Sequence, residues 1–446
     1  MPTVLLPATP LLGHVNPMLT LGRGLRERGY RVLVLTGRQF SGMAADAGLE
    51  LLPLPPASEI VPPVGPRPRN RVAAALEDIV SIFIDPLEAQ HDALTSALAR
   101  HDVDAVLSDT AFLGALPLAR REPSTRPPVL GVSMTPLSVV SVDCAPFGSG
   151  LAPSTSWFTR RRNVQANWFL HHGPLKPLHD RLDAELVPHG VPPGSVNFFD
   201  QVTAYDLTFH LGLAEMEYPR RELPGTVRFV GPVRPPPSER AVPAWWGELD
   251  GDRPVVHVTQ GTLDNADLGK LLAPAVRALA REDVLVVVST GGRPVADLER
   301  ALAPQRLPGN VRVSTFLPYD RLLPRTDVMV TNGGHGGVQD ALRHGVPLVV
   351  AGETEDKPEV AARAAWAGVG RNLRSGRPSP ARIRTAVRDV LGDPRYRQRA
   401  QQMARATAAL PDPVDTVAAT LEERLGRRTG GASGSVPAPA ARVRRR

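Results

Sequence analysis

The sequence predicts an α/β protein made of two doubly wound, Rossmann-like halves that face each other across a cleft. Three observations predict it. The chain opens with an apolar strand, a helix and a second strand, which is a βαβ unit of a parallel sheet. A proline-dense stretch near the middle interrupts the strand–helix alternation, which then restarts. A strand, a glycine-rich turn and a helix sit late in the second run, and parallel sheets of this kind bind ligands beyond the carboxyl ends of their strands.

The first strand is expected over residues 4–7. Asn16 and Pro17 read as the N-cap and first-turn proline of the first helix. Met18, Leu21 and Leu25 recur at helical spacing and form its buried stripe, and Gly29 ends it. A second strand follows over 31–36. The proline-dense residues 53–68 read as loop, and a helix is expected over about 71–100. Strands are expected over 103–107, 129–132 and 207–210. Residues 232–243 contain five prolines and form a semi-stiff linker. Beyond it come strands over 255–258, 284–288, 311–314, 328–330 and 348–350, with a helix from about Asp267. The expected organisation is one domain over 1–231, the linker 232–243, a second domain over 244–425, and a disordered Arg-rich tail over 426–446.

Composition narrows the function classes. A chain of 446 residues, 42% of them hydrophobic, can bury two cores. No run of about 18 apolar residues is present, so no transmembrane segment is expected. The N-terminus places a strand where a signal peptide needs its apolar stretch, which points to the cytoplasm. The single cysteine, Cys144, excludes internal disulfides and Cys-based zinc sites and fits a reducing compartment. The formal charge of +7 misleads, because residues 426–446 hold six arginines and no acid. Without them 46 basic groups face 45 acidic ones, and no basic face for nucleic acid is expected.

The most informative stretch is Thr331-Asn332-Gly333-Gly334-His335-Gly336-Gly337-Val338-Gln339-Asp340. Glycines let backbone N–H groups crowd around a ligand, and a helix N-terminus adds unpaired donors and a favourable dipole. A diphosphate-bearing ligand is therefore expected there. The turn after the first strand has one glycine, Gly13, where a dinucleotide fingerprint needs two or three, so a nicotinamide dehydrogenase is disfavoured. His14 follows that strand, and Asp109 follows the expected strand 103–107. In a parallel sheet the two converge on one cleft edge. A neutral imidazole can accept a proton near pH 7, and a carboxylate on its other nitrogen fixes the tautomer and stabilises the imidazolium.

These residues carry a resemblance. Gly13-His14-Val15-Asn16-Pro17, the helix after it and Gly29-Tyr30-Arg31-Val32 are similar to the N-terminal signature of family-1 glycosyltransferases of the bacterial natural-product, macrolide-type group. Phe316-Leu317-Pro318, the glycine-rich stretch, Pro347 and the run from Asp356 to Arg363 resemble their donor-binding segment. The resemblance spans about residues 1–425 and is strongest over 311–370. It implies a GT-B fold, with acceptor binding and the catalytic base in the first domain and nucleotide-sugar binding in the second. It also implies an inverting reaction without metal or cofactor, with a UDP- or TDP-hexose as co-substrate.

Carried over by position, His14 resembles the base and Asp109 its orienting partner. Phe316 stands where the family usually has a Trp stacked on the nucleotide base, beside Leu317. Asn332 stands where a His contacts the diphosphate, so the backbone of Gly334, Gly336 and Gly337 is expected to carry more of that contact. Gly261 and Thr262 match a loop that approaches the diphosphate, and Asp340 an acid that holds ribose hydroxyls. Asp356-Lys357 replaces the usual Asp-Gln on the sugar hydroxyls, and Lys357 either holds sugar oxygens or pairs with Glu355 or Glu359. His335 occupies a variable position and is expected at the surface or behind the ligand.

The main reading is a hexosyltransferase that glycosylates a hydroxyl, or a nitrogen, of an apolar small molecule. Loops over about 57–90 and 134–175 are expected to line the acceptor pocket, with Trp157, Phe158, Trp168 and Phe169 as the flat apolar contacts. Two alternatives stay open. One is a non-catalytic nucleotide-sugar-binding homologue that assists another transferase. The other is a sugar-nucleotide epimerase of the same architecture, for which Glu355 and Asp356 offer carboxylates.

Overall fold

The computed structural model describes residues 1–58, 60, 70–262 and 264–430. Seven parallel strands form the first sheet: β1 (Thr3–Pro7), β2 (Arg31–Thr36), β3 (Glu50–Pro53), β4 (Ala105–Asp109), β5 (Val129–Ser133), β6 (Leu207–His210) and β7 (Val227–Phe229). They lie in the order β3-β2-β1-β4-β5-β6-β7. Six parallel strands form the second: β8 (Val255–Thr259), β9 (Leu285–Ser289), β10 (Val311–Ser314), β11 (Val328–Thr331), β12 (Leu348–Val350) and β13 (Gly370–Asn372), in the order β10-β9-β8-β11-β12-β13. The chain direction across each sheet reverses once, between β1 and β4 and between β8 and β11. Those two crevices are where doubly wound sheets bind ligands.

Both faces of the first sheet are covered, as a parallel sheet requires. Val4 and Leu6 point to one side, against Val15, Met18, Leu21 and Leu25 of the helix Leu12–Glu27. Leu5 and Leu33 point to the other, against Leu87 and Leu94 of the helix Leu87–Arg100. The second sheet is packed in the same way, with Val256, Val258 and Val286 against Leu272, Ala275 and Leu279.

The first helix begins at Leu12, five residues before the expected first helical residue, so Asn16 is not its N-cap and Pro17 lies inside it. The helix tolerates Pro17 because the acceptor that loses its partner is the carbonyl of Gly13, which stays exposed to water. Met18, Leu21 and Leu25 are fully buried, and Gly29 takes the left-handed conformation (φ 87°) that stops the helix. The helix expected over 71–100 is divided into Arg71–Ile79, a π-helical turn Val80–Ile84, and Leu87–Arg100. Pro86, with no N–H to donate, stands at the restart. The helix expected from Asp267 is regular only over Leu272–Leu279.

Residues 413–425 were expected in the second domain, but their helix, Pro413–Gly430, returns to the first sheet. Val414, Val417 and Leu421 join the first core, Arg28 Nε pairs with Asp415 at 2.8 Å, and a side chain at Gly24 would collide with Val414. The helix also runs through residues 426–430, where the tail was expected to begin. The rest of that expected tail, 431–446, and residues 59 and 61–68 of the expected loop 53–68 lie outside the described residues.

Candidate functional site

The crevice of the first sheet holds the His14–Asp109 pair. The chain leaves β1 through Thr9 and Pro10, and the tight entry to the first helix places His14 in its first turn. Asp109 is the last residue of β4, next door. His14 Nδ1 lies 3.0 Å from Asp109 Oδ2, at hydrogen-bond distance but off the straight hydrogen-bond line. The carboxylate is fully buried and held by two backbone donors: Oδ2 accepts from Thr9 N–H (3.1 Å) and Oδ1 from Ala111 N–H (3.0 Å).

Burial pushes the Asp109 carboxyl up, but His14, with help from the Ala111 N–H and the Thr9 side chain, more than offsets it and holds it below the usual carboxylate range. Burial likewise pulls the His14 imidazole down, yet Asp109, with help from Asp356, raises it above its ordinary value. The His14 side chain keeps 12% of its surface exposed, and with Nδ1 directed at Asp109 its Nε2 is the free basic atom. Such a pair can accept a proton and stabilise the cation that results.

The crevice of the second sheet holds the glycine-rich stretch. Gly333 adopts φ 91°, and a side chain there would strike Val350. The helix His335–Arg343 then starts without a side-chain cap. Val338 N–H reaches back to the Gly334 carbonyl (3.1 Å), so the N–H groups of His335, Gly336 and Gly337 form the unpaired first turn. A Cβ at Gly336 would meet nothing, and one at Gly337 only Met329 at 3.8 Å. Gly336 is itself exposed, so solvent reaches this turn, as an anion site needs.

Around that turn the expected donor residues divide. Gly261, at φ 71°, backs onto Asn332 across the two strand ends, and Thr262 is exposed beside it. Asn332 does not offer its amide freely: Nδ2 donates to the Gln260 carbonyl (2.5 Å), and Oδ1 accepts from Gly334 N–H (3.4 Å). It ties the loop after β8 to the loop after β11. Asp340 pairs with Arg343 (3.1 Å), and burial pushes its carboxyl up. Phe316 is 41% exposed, backed by Gly292 and with the Arg240 guanidinium 5.2 Å from its ring centre. Leu317 turns its side chain inward. Its side chain is buried with Leu249, Val255 and Leu322, which leaves only its backbone for a ligand.

The loop before the helix Lys357–Trp366 brings Asp356 to the cleft, where its charge bears on both His14 and His335. Burial pushes the Asp356 carboxyl up, partly countered by His335 and Lys357. Of the two uses open to Lys357, the structure shows the ion pair. Its ammonium is paired with Glu355 and donates to Thr354 Oγ1 (3.2 Å), so it is committed within its own loop. His335 is not at the surface but half-buried between the halves, accepting from Gln339 Nε2 (3.1 Å) and bonded to the Met134 backbone beyond β5.

Comparison with known proteins places this geometry. Residues 278–423 match the family model for the erythromycin biosynthesis protein CIII-like C-terminal domain. The chain is 41% identical over 426 residues to 4'-demethylrebeccamycin synthase of Lentzea aerocolonigenes, covering 93% of this chain and 97% of that one. It is 34% identical to UDP-glycosyltransferase 2 of Phaeomoniella chlamydospora, covering 95% of each. The chain belongs to the antibiotic, natural-product group of GT-B glycosyltransferases. Its fold matches the crystal structure of the glycotransferase of kitacinnamycin, with a TM-score of 0.71 at 23% identity over 95% of this chain and 100% of that one.

In this glycosyltransferase the four aromatic residues expected at the acceptor face away from the pocket beside their helix. Trp157, Phe158, Trp168 and Phe169 are 62–79% exposed on the outer face of the helix Trp157–His172, whose inner face is held by Asn163 and Asn167. A narrow pocket on the inner side is lined instead by Val139, Phe147, Asn167, Leu170, Phe199 and Tyr218.

Sequence reasoning missed the charged knot that joins the two halves of the glycosyltransferase. Arg363 is 2% exposed; it pairs with Glu217 (3.1 Å) and Glu359 (2.6 Å), donates to the Leu137 carbonyl (2.8 Å) and lies 4.3 Å from the Tyr218 ring centre. Glu359 in turn accepts from the N–H groups of Gly148 (2.8 Å) and Gly150 (3.0 Å). The pair Glu359 and Arg363 stands at helical i, i+4 spacing in the sequence, but Glu217 is too distant along the chain for any pattern to join it to them.

Proposed function

We propose that this glycosyltransferase is an inverting enzyme that moves a hexose from a UDP- or TDP-sugar to a hydroxyl, or a nitrogen, of an apolar small molecule. The observation that carries this reading is the His14–Asp109 pair at one crevice facing an open helix N-terminus at the other. His14 Nε2 takes the proton as the acceptor oxygen bonds to the anomeric carbon. The bond from that carbon to the diphosphate oxygen breaks on the opposite face, and its electron pair leaves with the nucleoside diphosphate. Asp109 holds the ring and stabilises the imidazolium.

The N–H groups of His335, Gly336 and Gly337 meet the diphosphate charge, Phe316 offers a flat face to the base, Asp340 meets the ribose, and Asp356 accepts from sugar hydroxyls. Asn332 acts by bracing the two loops rather than by contacting phosphate itself. The protein supplies these donors without a metal of its own. The acceptor enters beside the pocket lined by Phe147, Leu170, Phe199 and Tyr218. The name of the Phaeomoniella relative supports a UDP-sugar donor.

The test is transfer from a panel of UDP- and TDP-hexoses, with the anomeric configuration of the product read by NMR coupling. An α-linked donor should give a β-linked product. A product that keeps the donor's configuration, or epimerisation of the nucleotide sugar without transfer, contradicts the reading.

A further inference from the structure

The helix Trp157–His172 is turned inside out. A surface helix ordinarily buries its apolar stripe, but here the buried side chains are Asn163 and Asn167. Their amides donate to the carbonyls of Val142 (3.0 Å) and Cys144 (3.4 Å), which fixes which side faces the protein. The outer face presents Trp157, Val164 and Trp168 in one row, at seven- and four-residue spacing, with Phe158 and Phe169 in a second row beside it. From Trp157 to Phe169 it runs about 18 Å. Among the described residues no other Trp or Phe is more than 41% exposed. An exposed apolar patch of this kind marks an interaction surface.

The charges beside it indicate the partner. The helix carries Arg160, Arg161 and Arg162 and no acid. Arg160 is paired with Asp143 (2.7 Å), but Arg161 lies against the Trp157 ring (5.8 Å) and Arg162 donates to its neighbour Asn163 (2.9 Å), with no carboxylate paired to either among the described residues. A symmetric pairing of two such helices would bring arginines towards arginines with no carboxylate on either helix to answer them. An anionic lipid surface answers them directly, and Trp and Phe side chains settle at the boundary between headgroups and acyl chains. Among the described residues no helix is long and apolar enough to cross a membrane, so such an attachment is peripheral.

We propose that the outer face of the helix Trp157–His172 docks this protein onto an anionic lipid surface, through its aromatic stripe and Arg161 and Arg162. The full-length chain is sedimented with vesicles of phosphatidylglycerol or of phosphatidylcholine. It should bind the first and not the second, less so in about 0.5 M salt, where exposed charges are screened within a few ångström. The variant Trp157→Ser/Phe158→Ser/Trp168→Ser/Phe169→Ser should lose at least tenfold in binding, and Arg161→Glu/Arg162→Glu should lose a comparable factor. The altered side chains are solvent-exposed, so an unchanged melting temperature checks the fold of each variant. Equal vesicle binding by wild type and the aromatic variant would assign attachment to the Arg-rich C-terminal segment and overturn the proposal. No vesicle binding by the wild-type chain also overturns it. So does sedimentation-velocity self-association that the aromatic variant abolishes, which would place the stripe between two copies.

Discussion

Replacing Asp109 with Asn removes one charge and keeps the shape, and its consequences follow from three contacts. Asp109 Oδ1 accepts from Ala111 N–H at 3.0 Å, while Oδ2 faces both Thr9 N–H at 3.1 Å and His14 Nδ1 at 3.0 Å. An Asn has one oxygen for these three groups. If the oxygen stays on Ala111, the new NH2 faces the Thr9 N–H, which loses its acceptor in a buried place at about 1–3 kcal/mol. His14 must then accept at Nδ1, which puts its proton on Nε2, the atom that has to receive the acceptor's proton. If the amide turns over, Ala111 N–H is orphaned at similar cost and the tautomer survives.

Asp109→Asn should therefore lower stability by about 1–3 kcal/mol in chemical denaturation. It should forfeit part, not all, of the roughly 10²- to 10⁴-fold that a positioned base contributes. The pH profile gives a second readout. His14 works as a base only when neutral, so kcat/KM rises with pH through its pKa. In the wild type that pKa is raised, which puts the acid limb above the ordinary imidazole value of 6.5. Without the carboxylate, burial dominates and the limb should move to lower pH. Initial rates from about pH 5 to 9 at fixed donor, with each protein's unfolding curve, test both. A wild-type rate with an unmoved limb in Asp109→Asn would refute the pairing.

Three further outcomes are expected. Turnover in excess EDTA should match turnover in magnesium to within a few-fold, because backbone donors at the start of the helix His335–Arg343 meet the diphosphate; complete loss on chelation would contradict that assignment. Phe316→Ala should weaken nucleoside diphosphate and nucleotide sugar alike by about 1–3 kcal/mol in calorimetric titration if the ring carries the base. Arg363→Met should destabilise the chain by about 3–5 kcal/mol in denaturant, since it removes the cation that two buried carboxylates share and leaves Glu359 with only backbone donors and Glu217 with Arg220 (3.3 Å) and the Leu137 N–H; adding Glu217→Gln should restore part of the loss.

The two sheets were legible because inner strands are continuous apolar runs, as at residues 4–6, 284–288 and 328–330. The strands that escaped notice, β3, β7 and β13, are short edge strands with mixed burial, so no run of apolar residues announces them. His14 and Asp109 were legible as a pair because strand ends of one parallel sheet converge. The glycine-rich turn was legible because its backbone needs are written in residue type. What the sequence hid was the use of side chains. Asn332 has the chemistry to hold phosphate and spends it on Gln260, and Lys357 spends its charge on Glu355. The helix Trp157–His172 misled because apolar spacing states which residues share a face, not which face is turned inward.

The most direct measurement compares His14→Ala with wild type in two assays on the same preparations: transfer rate at saturating donor, and donor affinity by titration. If His14 is the base, turnover falls by about two to four orders of magnitude while donor affinity stays within a few-fold. Transfer near the wild-type rate with intact donor binding would show that the proton leaves by another route, and the central assignment would be wrong.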